Sequence, residues 1–349
     1  MNIDELDTPV ATVDITRLEA NIKRFQTYLD QHHIQNRPHI KTHKIPEIAQ
    51  MQVREGAVGI TCQKLGEVEV MTQAGLRNVF LPYNILGARK LERLVALAKV
   101  SEISVTADSA YTVDGLSSAA SEAGIELAVL VEFDTGSQRC GVQTPEQAIE
   151  LAQYIDRLPG LKFGGLMTYP ANEHTDGFVQ QVKATLAEHG IPLNCVSVGG
   201  TAAMWQVHTH PEITEYRAGM YVYGDRSMLK SGAMQLEDCA LKVITTVVSR
   251  PTPDRGILDG GSKTFSSDLL GLDGHGLILE YPDAHFYALS EEHGHVDFSA
   301  CEHKPQIGER VTVIPNHCCV VSNLFNQMVG VRNGTVETVW NVAARGMLT

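Results

Sequence analysis

Short apolar runs and amphipathic stretches alternate along the first two thirds of this chain. Residues 10–14 read as a strand, and the next stretch, 15–29, places Leu18, Ile22, Phe25 and Leu29 at helical spacing. The alternation predicts further strands at 36–40, 57–61, 79–81, 103–107, 126–132, 163–168 and 195–198. It predicts helices at 65–74, 88–98, 110–123, 145–154 and 176–189, with Gly75 and Gly124 where two of them should stop. The strands are apolar on both faces, as parallel strands buried between helices are. Strand followed by helix recurs about eight times in roughly the first 225 residues, which favours an α/β fold of the (β/α)8 TIM type over an open sheet.

The texture changes near residue 228. Apolar segments at 241–248, 256–259, 285–289, 310–314, 328–332 and 335–339 are split by Gly, Pro and Asp turns. These predict an antiparallel β domain after the barrel. The expected division is a barrel over 1–227 and a β domain over 228–349, with the first few residues as candidates to pack with the second.

Composition narrows the functional classes. The 349 residues carry a formal charge of −13, and no basic stripe interrupts that balance, so a nucleic-acid surface is not expected. No run of about eighteen apolar residues predicts a membrane span. The acidic first seven residues lack the apolar segment of a secretory signal. Seven scattered cysteines suit reduced thiols and a cytoplasmic protein.

In a barrel, residues that follow the strands line the mouth. Those here include Lys41, Gln63, Asp134, Arg139, Tyr169, Gly199-Gly200-Thr201 and Arg217-Ala218-Gly219. Arg37-Pro38-His39-Ile40-Lys41-Thr42-His43-Lys44 is a basic cluster in an acidic chain. It is either a solvated loop or the seat of an amine that forms a Schiff base, for which pyridoxal phosphate is the usual partner. Partial burial of Lys41 and a like charge on Lys44 would each make that amine more nucleophilic. Gly199-Gly200-Thr201, followed by a helix near Ala202, could cradle a phosphate or form a tight turn. Arg217-Ala218-Gly219-Met220 offers a second backbone cradle. Arg139 could bond a phenolate or carboxylate, or close a surface salt bridge. His317 and Cys319 would face one side of an extended segment, as a zinc-type pair or as two buried side chains. The polar loops at 259–263 and 290–294 could cover a pocket or simply turn the chain.

As a set, these motifs resemble the alanine-racemase-like (fold type III) pyridoxal phosphate enzymes, and within them the D-threonine aldolases and eukaryotic-type D-serine dehydratases. The matching segments are Asp7-Thr8-Pro9, the octapeptide at 37–44, Asp134-Thr135-Gly136 with Arg139-Cys140-Gly141, Gly199-Gly200-Thr201, Arg217-Ala218-Gly219-Met220-Tyr221, Asp259-Gly260-Gly261, Glu291-Glu292-His293-Gly294 and Pro315-Asn316-His317-Cys318-Cys319. The resemblance implies that Lys41 is the Schiff-base lysine and moves the α-proton. Arg139 then lies near the cofactor's phenolic oxygen, and Tyr169 and Arg217 lie near its ring. Gly200, Thr201, Gly219 and Met220 form the phosphate cradle, and His317 and Cys319 hold a divalent metal. A homodimer is implied, with the active site where one subunit's barrel meets the other's β domain.

The implied activity is a lyase for β-hydroxy-D-amino acids, led by retro-aldol cleavage of the D-threonine type to glycine and an aldehyde. The alternative is dehydration of D-serine or a similar substrate to a 2-oxo acid and ammonia. The second metal ligand is typically aspartate in the aldolases and cysteine in the dehydratases, as at Cys319, whereas the surroundings of the pair and the tail look aldolase-like. A thiolate favours zinc over manganese or magnesium. Racemization is disfavoured because the second-base tyrosine of the racemases has no match.

Overall fold

The computed structural model describes residues 1–349. The chain divides into two units. One comprises Phe25–Lys41, Ile48–Gly219 and Met347–Thr349, and the other Met1–Arg24, Thr42–Glu47 and Met220–Gly346. No helix is long and apolar enough to cross a membrane.

The first unit is a curled parallel sheet of the TIM type. Its strands run Gln35–Asn36, Glu215–Arg217, Val196–Gly199, Leu161–Thr168, Leu127–Glu132, Glu102–Ala107, Asn78–Leu81 and Ile60–Thr61 in spatial order. The two ends of that order meet. Arg37 N donates to Tyr216 O at 2.9 Å on one side, and Val58 N and Thr61 N donate to Asn36 O and Pro38 O at 2.9 and 2.8 Å on the other. The strand expected at 36–40 is only Gln35–Asn36. Pro38 has no N–H for a ladder, and the chain turns into a 3-10 segment at Ile40–Thr42.

Helices on the outside begin and end where their caps say. Ser109 accepts from Thr112 N and Gly124 closes Ala110–Ala123 at φ +64. Thr144 caps Pro145–Arg157, with proline in the first turn. Leu18, Ile22, Phe25 and Leu29 of helix Ile15–Gln31 are all buried, each worth about 2 kcal/mol of transfer free energy. Helix Pro46–Glu55 was not expected from the pattern, because its buried face, Ile48, Ala49 and Gln52, includes an amide. Phe80, Leu130 and Met167, from three strands of this sheet, pack together as a buried cluster.

The second unit is built on a mixed sheet rather than a purely antiparallel one. Strand Val10–Asp14 pairs antiparallel with Leu241–Ser249 and parallel with Gln327–Arg332. The first strand of the sequence thus lies outside the barrel, and Glu215–Arg217 makes up the eight. An apolar run shows that a strand forms but not which sheet takes it. Here the choice is fastened by Asp259, whose carboxylate accepts from Thr8 Oγ1 at 2.5 Å, from Thr246 N at 2.9 Å and from Thr245 Oγ1. The segments Asp7-Thr8-Pro9 and Asp259-Gly260-Gly261 are therefore one structural clasp. A Cβ on Gly261 would collide with the Ser290 carbonyl, and Ser262 N donates to that same oxygen at 2.8 Å. The loop at 290–294 is a hairpin turn between His285–Leu289 and Gly294–Asp297, steadied by Lys263 on Glu291 and Glu292.

Candidate active site

All the barrel residues singled out above end or follow strands of a parallel sheet, so they share its C-terminal end. A chain of contacts links them. The Arg139 guanidinium lies 5.0 Å from the centre of the Tyr169 ring. A Cβ on Gly200 would sit 3.7 Å from Cε2 of that ring. Thr201 Oγ1 accepts from Gly219 N at 3.4 Å, and Ala218 O accepts from His39 N at 2.8 Å, two residues before Lys41.

The turn after strand Val196–Gly199 holds Gly200 at φ +125, a conformation that side chains disfavour. Tyr216, buried on the strand before Arg217, donates its hydroxyl to Gly200 O and pins the turn. The α-helix expected near Ala202 is instead a 3-10 segment, Met204–Thr209. Pro211 follows at once, leaving no room for a longer helix. Backbone amides of the turn, not a helix terminus, are thus the groups available to an anion.

Arg217 is only 5 % exposed. It donates through Nε to Ser197 Oγ and through Nη2 to Thr168 O, both at 2.9 Å, above the Phe80 ring. Burial pushes its guanidinium down to about 10, opposed by Glu215 and Glu132, so it stays a cation at neutral pH. Ser197 donates in turn to Glu215, which holds Arg37 at 2.6 Å. The first residue of the octapeptide is therefore tied to Arg217 through two buried side chains, neither apparent in the sequence as part of a site.

Arg139 is exposed, with Nη2 3.5 Å from Glu132 Oε1. Burial raises the Glu132 carboxyl, with Arg139 and Arg217 opposing. The loop that carries Arg139 is folded on Asp134, whose carboxylate accepts from the amides of Gly136, Ser137 and Gln138.

Lys41 is exposed in the single chain, so the expected partial burial is not found; Lys44 is the buried lysine. The cause is local. The 3-10 turn sends position 41 outward, and Lys44, at φ +56, turns inward to donate to Ala344 O at 3.4 Å. A directed set of hydrogen bonds reaches the Lys41 backbone. Gln63 Nε2 donates to Pro82 O at 3.2 Å, which leaves Oε1 facing His39 Nε2 at 2.9 Å. His39 Nε2 must then carry the proton, and the bare Nδ1 accepts from Lys41 N at 3.4 Å.

In the other unit, His317 and Cys319 do not lie on an extended segment. His317 is the N-cap of helix Cys318–Leu324 and Cys319 sits in its first turn. The helix start, not strand alternation, brings the side chains together, and helix amides favour a thiolate there. The Cys318 contact is the strongest effect drawing the Cys319 thiol well below its ordinary value; His317 and Thr42 add to it against the cost of burial. Burial disfavours the charged His317 ring, but Cys319 and Asp268 outweigh it and push His317 up to about 9. Asp268 Oδ2 lies 2.7 Å from His317 Nδ1. Cys319 Sγ lies 3.2 Å from Oγ1 of Thr42, the residue after Lys41.

These donors suit the groups that the sequence implies. A thiolate and an imidazole whose other nitrogen is held by a carboxylate are a zinc-type pair with its supporting residue. An open glycine turn with buried Thr201 and Arg217 suits a phosphorylated ring. Asp268 was missed because it lies 49 positions from His317 in sequence. Thr42 could have been noticed, since it belongs to the octapeptide.

The chain is similar along almost its whole length to known proteins. The alanine racemase N-terminal domain family matches residues 13–227, and the putative serine dehydratase domain matches 240–331. D-threonine aldolase from Arthrobacter sp. is 34 % identical over 98 % of this chain and 93 % of its own. The crystal structure of D-threonine aldolase from Filomicrobium marinum superposes with a TM-score of 0.90 at 29 % identity, covering 99 % of this chain and 97 % of that one. A cysteine-to-alanine variant of D-threo-3-hydroxyaspartate dehydratase in the metal-free form superposes at 0.87 with 26 % identity, covering 98 % of each chain. With a barrel family matched over more than half its length and an aldolase relative aligned end to end, the chain belongs to the alanine-racemase-like family of pyridoxal phosphate enzymes, in the branch of the D-threonine aldolases and D-serine dehydratases.

Proposed function

We propose that this protein is a pyridoxal phosphate- and divalent-metal-dependent lyase that cleaves β-hydroxy-D-amino acids of the D-threonine type to glycine and an aldehyde. The observation that carries the reading is the 3.2 Å approach of Cys319 Sγ to Thr42, which ties the candidate metal pair to the residue after the candidate cofactor lysine. When bound, pyridoxal phosphate supplies an electron sink for charge developing at Cα, and a divalent cation supplies a Lewis acid for the β-hydroxyl. Lys41 holds the cofactor through its amine and moves the proton at Cα. Gly200, Thr201, Gly219 and Met220 bind the phosphate, largely through N–H groups. Arg217, fixed by Ser197 and Thr168, holds a cationic donor toward the ring, and Arg139 and Tyr169 flank it. His317 and Cys319 hold the cation, with zinc the best match to a thiolate.

One observation favours a second outcome. The thiolate at Cys319 donates more charge than a carboxylate and suits loss of the hydroxyl group, giving a 2-oxo acid and ammonia. Product identification separates the two. D-threonine is expected to give glycine, and 2-oxobutanoate instead would make dehydration the activity. Exposure of Tyr169 at 42 % supports a homodimer whose partner covers the mouth, with a solution mass of about twice 38.1 kDa.

His39 is the positioning residue for Lys41 in this reading. His39→Asn keeps an acceptor at the place of Nδ1 and is expected to take up the cofactor at close to the native rate. His39→Phe should slow uptake by roughly tenfold, the worth of about one hydrogen bond. Growth of the cofactor's visible band after its addition to stripped protein measures both. Equal rates for the two variants would reduce the ring to a space filler.

A further inference from the structure

His317 and Cys319 sit at an abrupt junction. Strand Arg310–Pro315 ends just before helix Cys318–Leu324 begins, and only Asn316 and His317 join them. A helix start leaves backbone amides without partners, and the residue before the helix ordinarily covers one with its own side chain. His317 holds that place and makes no such bond. Its Nδ1 lies instead on Asp268 Oδ2, at 2.7 Å. The missing cap comes from a distant segment. Asp225 Oδ2 accepts from Cys318 N at 2.9 Å, across 93 positions of sequence. Its Oδ1 accepts from Met228 N at 3.0 Å and caps helix Arg226–Lys230. One fully buried carboxylate thus starts two helices. The next residue, Arg226, grips the other side of His317. Its Nη1 donates to Asn316 Oδ1 at 2.8 Å, while Asn316 Nδ2 donates to Gly274 O at 2.8 Å. Asn316 is buried, so its amide is held at both ends away from water. The positions that Asp225 and Arg226 fix, 318 and 316, bracket His317.

We propose that Asp225 and Arg226 are positioning residues for the metal pair: they set the backbone on either side of His317, so that imidazole and thiolate converge and neither is used to cap the helix. The inference rests on the reading of His317 and Cys319 as the ligands of a divalent cation. Two ligands that must share one ion bind it weakly if the turn between them is free, because binding then has to order that turn. Here the turn is ordered by groups that touch no ligand atom. A carboxylate suits position 225 because both of its oxygens accept. An asparagine there has one oxygen and can serve only one of the two helices.

The test measures the zinc affinity of the full-length holoenzyme by competition with a chromophoric chelator, and the visible d–d bands of cobalt(II) put in place of zinc. Asp225→Ser keeps a good cap for helix Arg226–Lys230 but is too short to serve Cys318 N as well. Asn316→Ala removes the amide that Arg226 holds and leaves both proposed ligands in place. Each variant is expected to weaken zinc binding by about 10- to 100-fold, the usual effect of losing a group that orients a ligand, to alter the cobalt bands and to retain the cofactor's absorption. Native zinc affinity and native cobalt bands in Asn316→Ala, or in a folded Asp225→Ser, would overturn the proposal, whatever the change in melting temperature. Should Asp225→Ser fail to fold, Asn316→Ala alone decides. A native holoenzyme that binds no divalent metal would overturn the reading of His317 and Cys319 itself, and the inference with it.

Discussion

Lys41→Ala is expected to remove the visible absorption of lysine-bound pyridoxal phosphate and to lower turnover of D-threonine by about 10^4-fold or more. That is the upper range for a positioned acid/base group, and in the proposed reading the same amine also anchors the cofactor. The structure sharpens the experiment. Lys44 lies only three residues away, yet it is buried, with its ammonium on the Ala344 carbonyl, whereas Lys41 is exposed at the end of the barrel where the phosphate-type turn also lies. Absorption spectra and borohydride trapping of the two single variants separate the lysines. Lys44→Ala should retain the band, because its ammonium serves the backbone. A band that survives in Lys41→Ala would move the cofactor to another amine and remove the basis of the mechanism.

Cys319→Ala should release the divalent cation and lower turnover by about 10^3-fold, since a Lewis acid at the reacting oxygen supplies several kcal/mol. Metal content after dialysis and sensitivity to chelators measure it. Asp268→Ala leaves both ligands in place and should weaken metal affinity by only about 10- to 100-fold, because the carboxylate orients the imidazole without binding the metal. The order of severity, cysteine above aspartate, follows from the proposed roles, in which Cys319 would bind the cation and Asp268 would only orient the imidazole. Residual activity in Cys319→Ala that is still lost to chelators would place the metal elsewhere.

Much of the barrel could be read from the pattern because buried parallel strands and amphipathic helices have distinct periods. Helices Ala88–Ala98 and Ala110–Ala123 begin and end as expected, one closed by glycine. The mouth residues were legible for the same reason: in such a fold they come next after each strand. What could not be read were partnerships across large separations. Nothing near Arg37 in sequence shows that Glu215 and Ser197 connect it to Arg217. Nor does the alternation of apolar residues at Val10–Asp14 say that this strand joins Leu241–Ser249. The His-x-Cys spacing suggested a strand, but a helix start supplies the convergence.

The sequence by itself determined the class of the fold and singled out the lysine segment, the glycine turn and the His317–Cys319 pair as candidates, because each is set by residue type within a few positions of its neighbours. Only the tertiary structure decided which lysine is buried, which tautomer His39 adopts, and that Asp268 holds the His317 imidazole. Those properties depend on dehydration and on hydrogen bonds that close over tens of residues, and local periodicity carries no record of either.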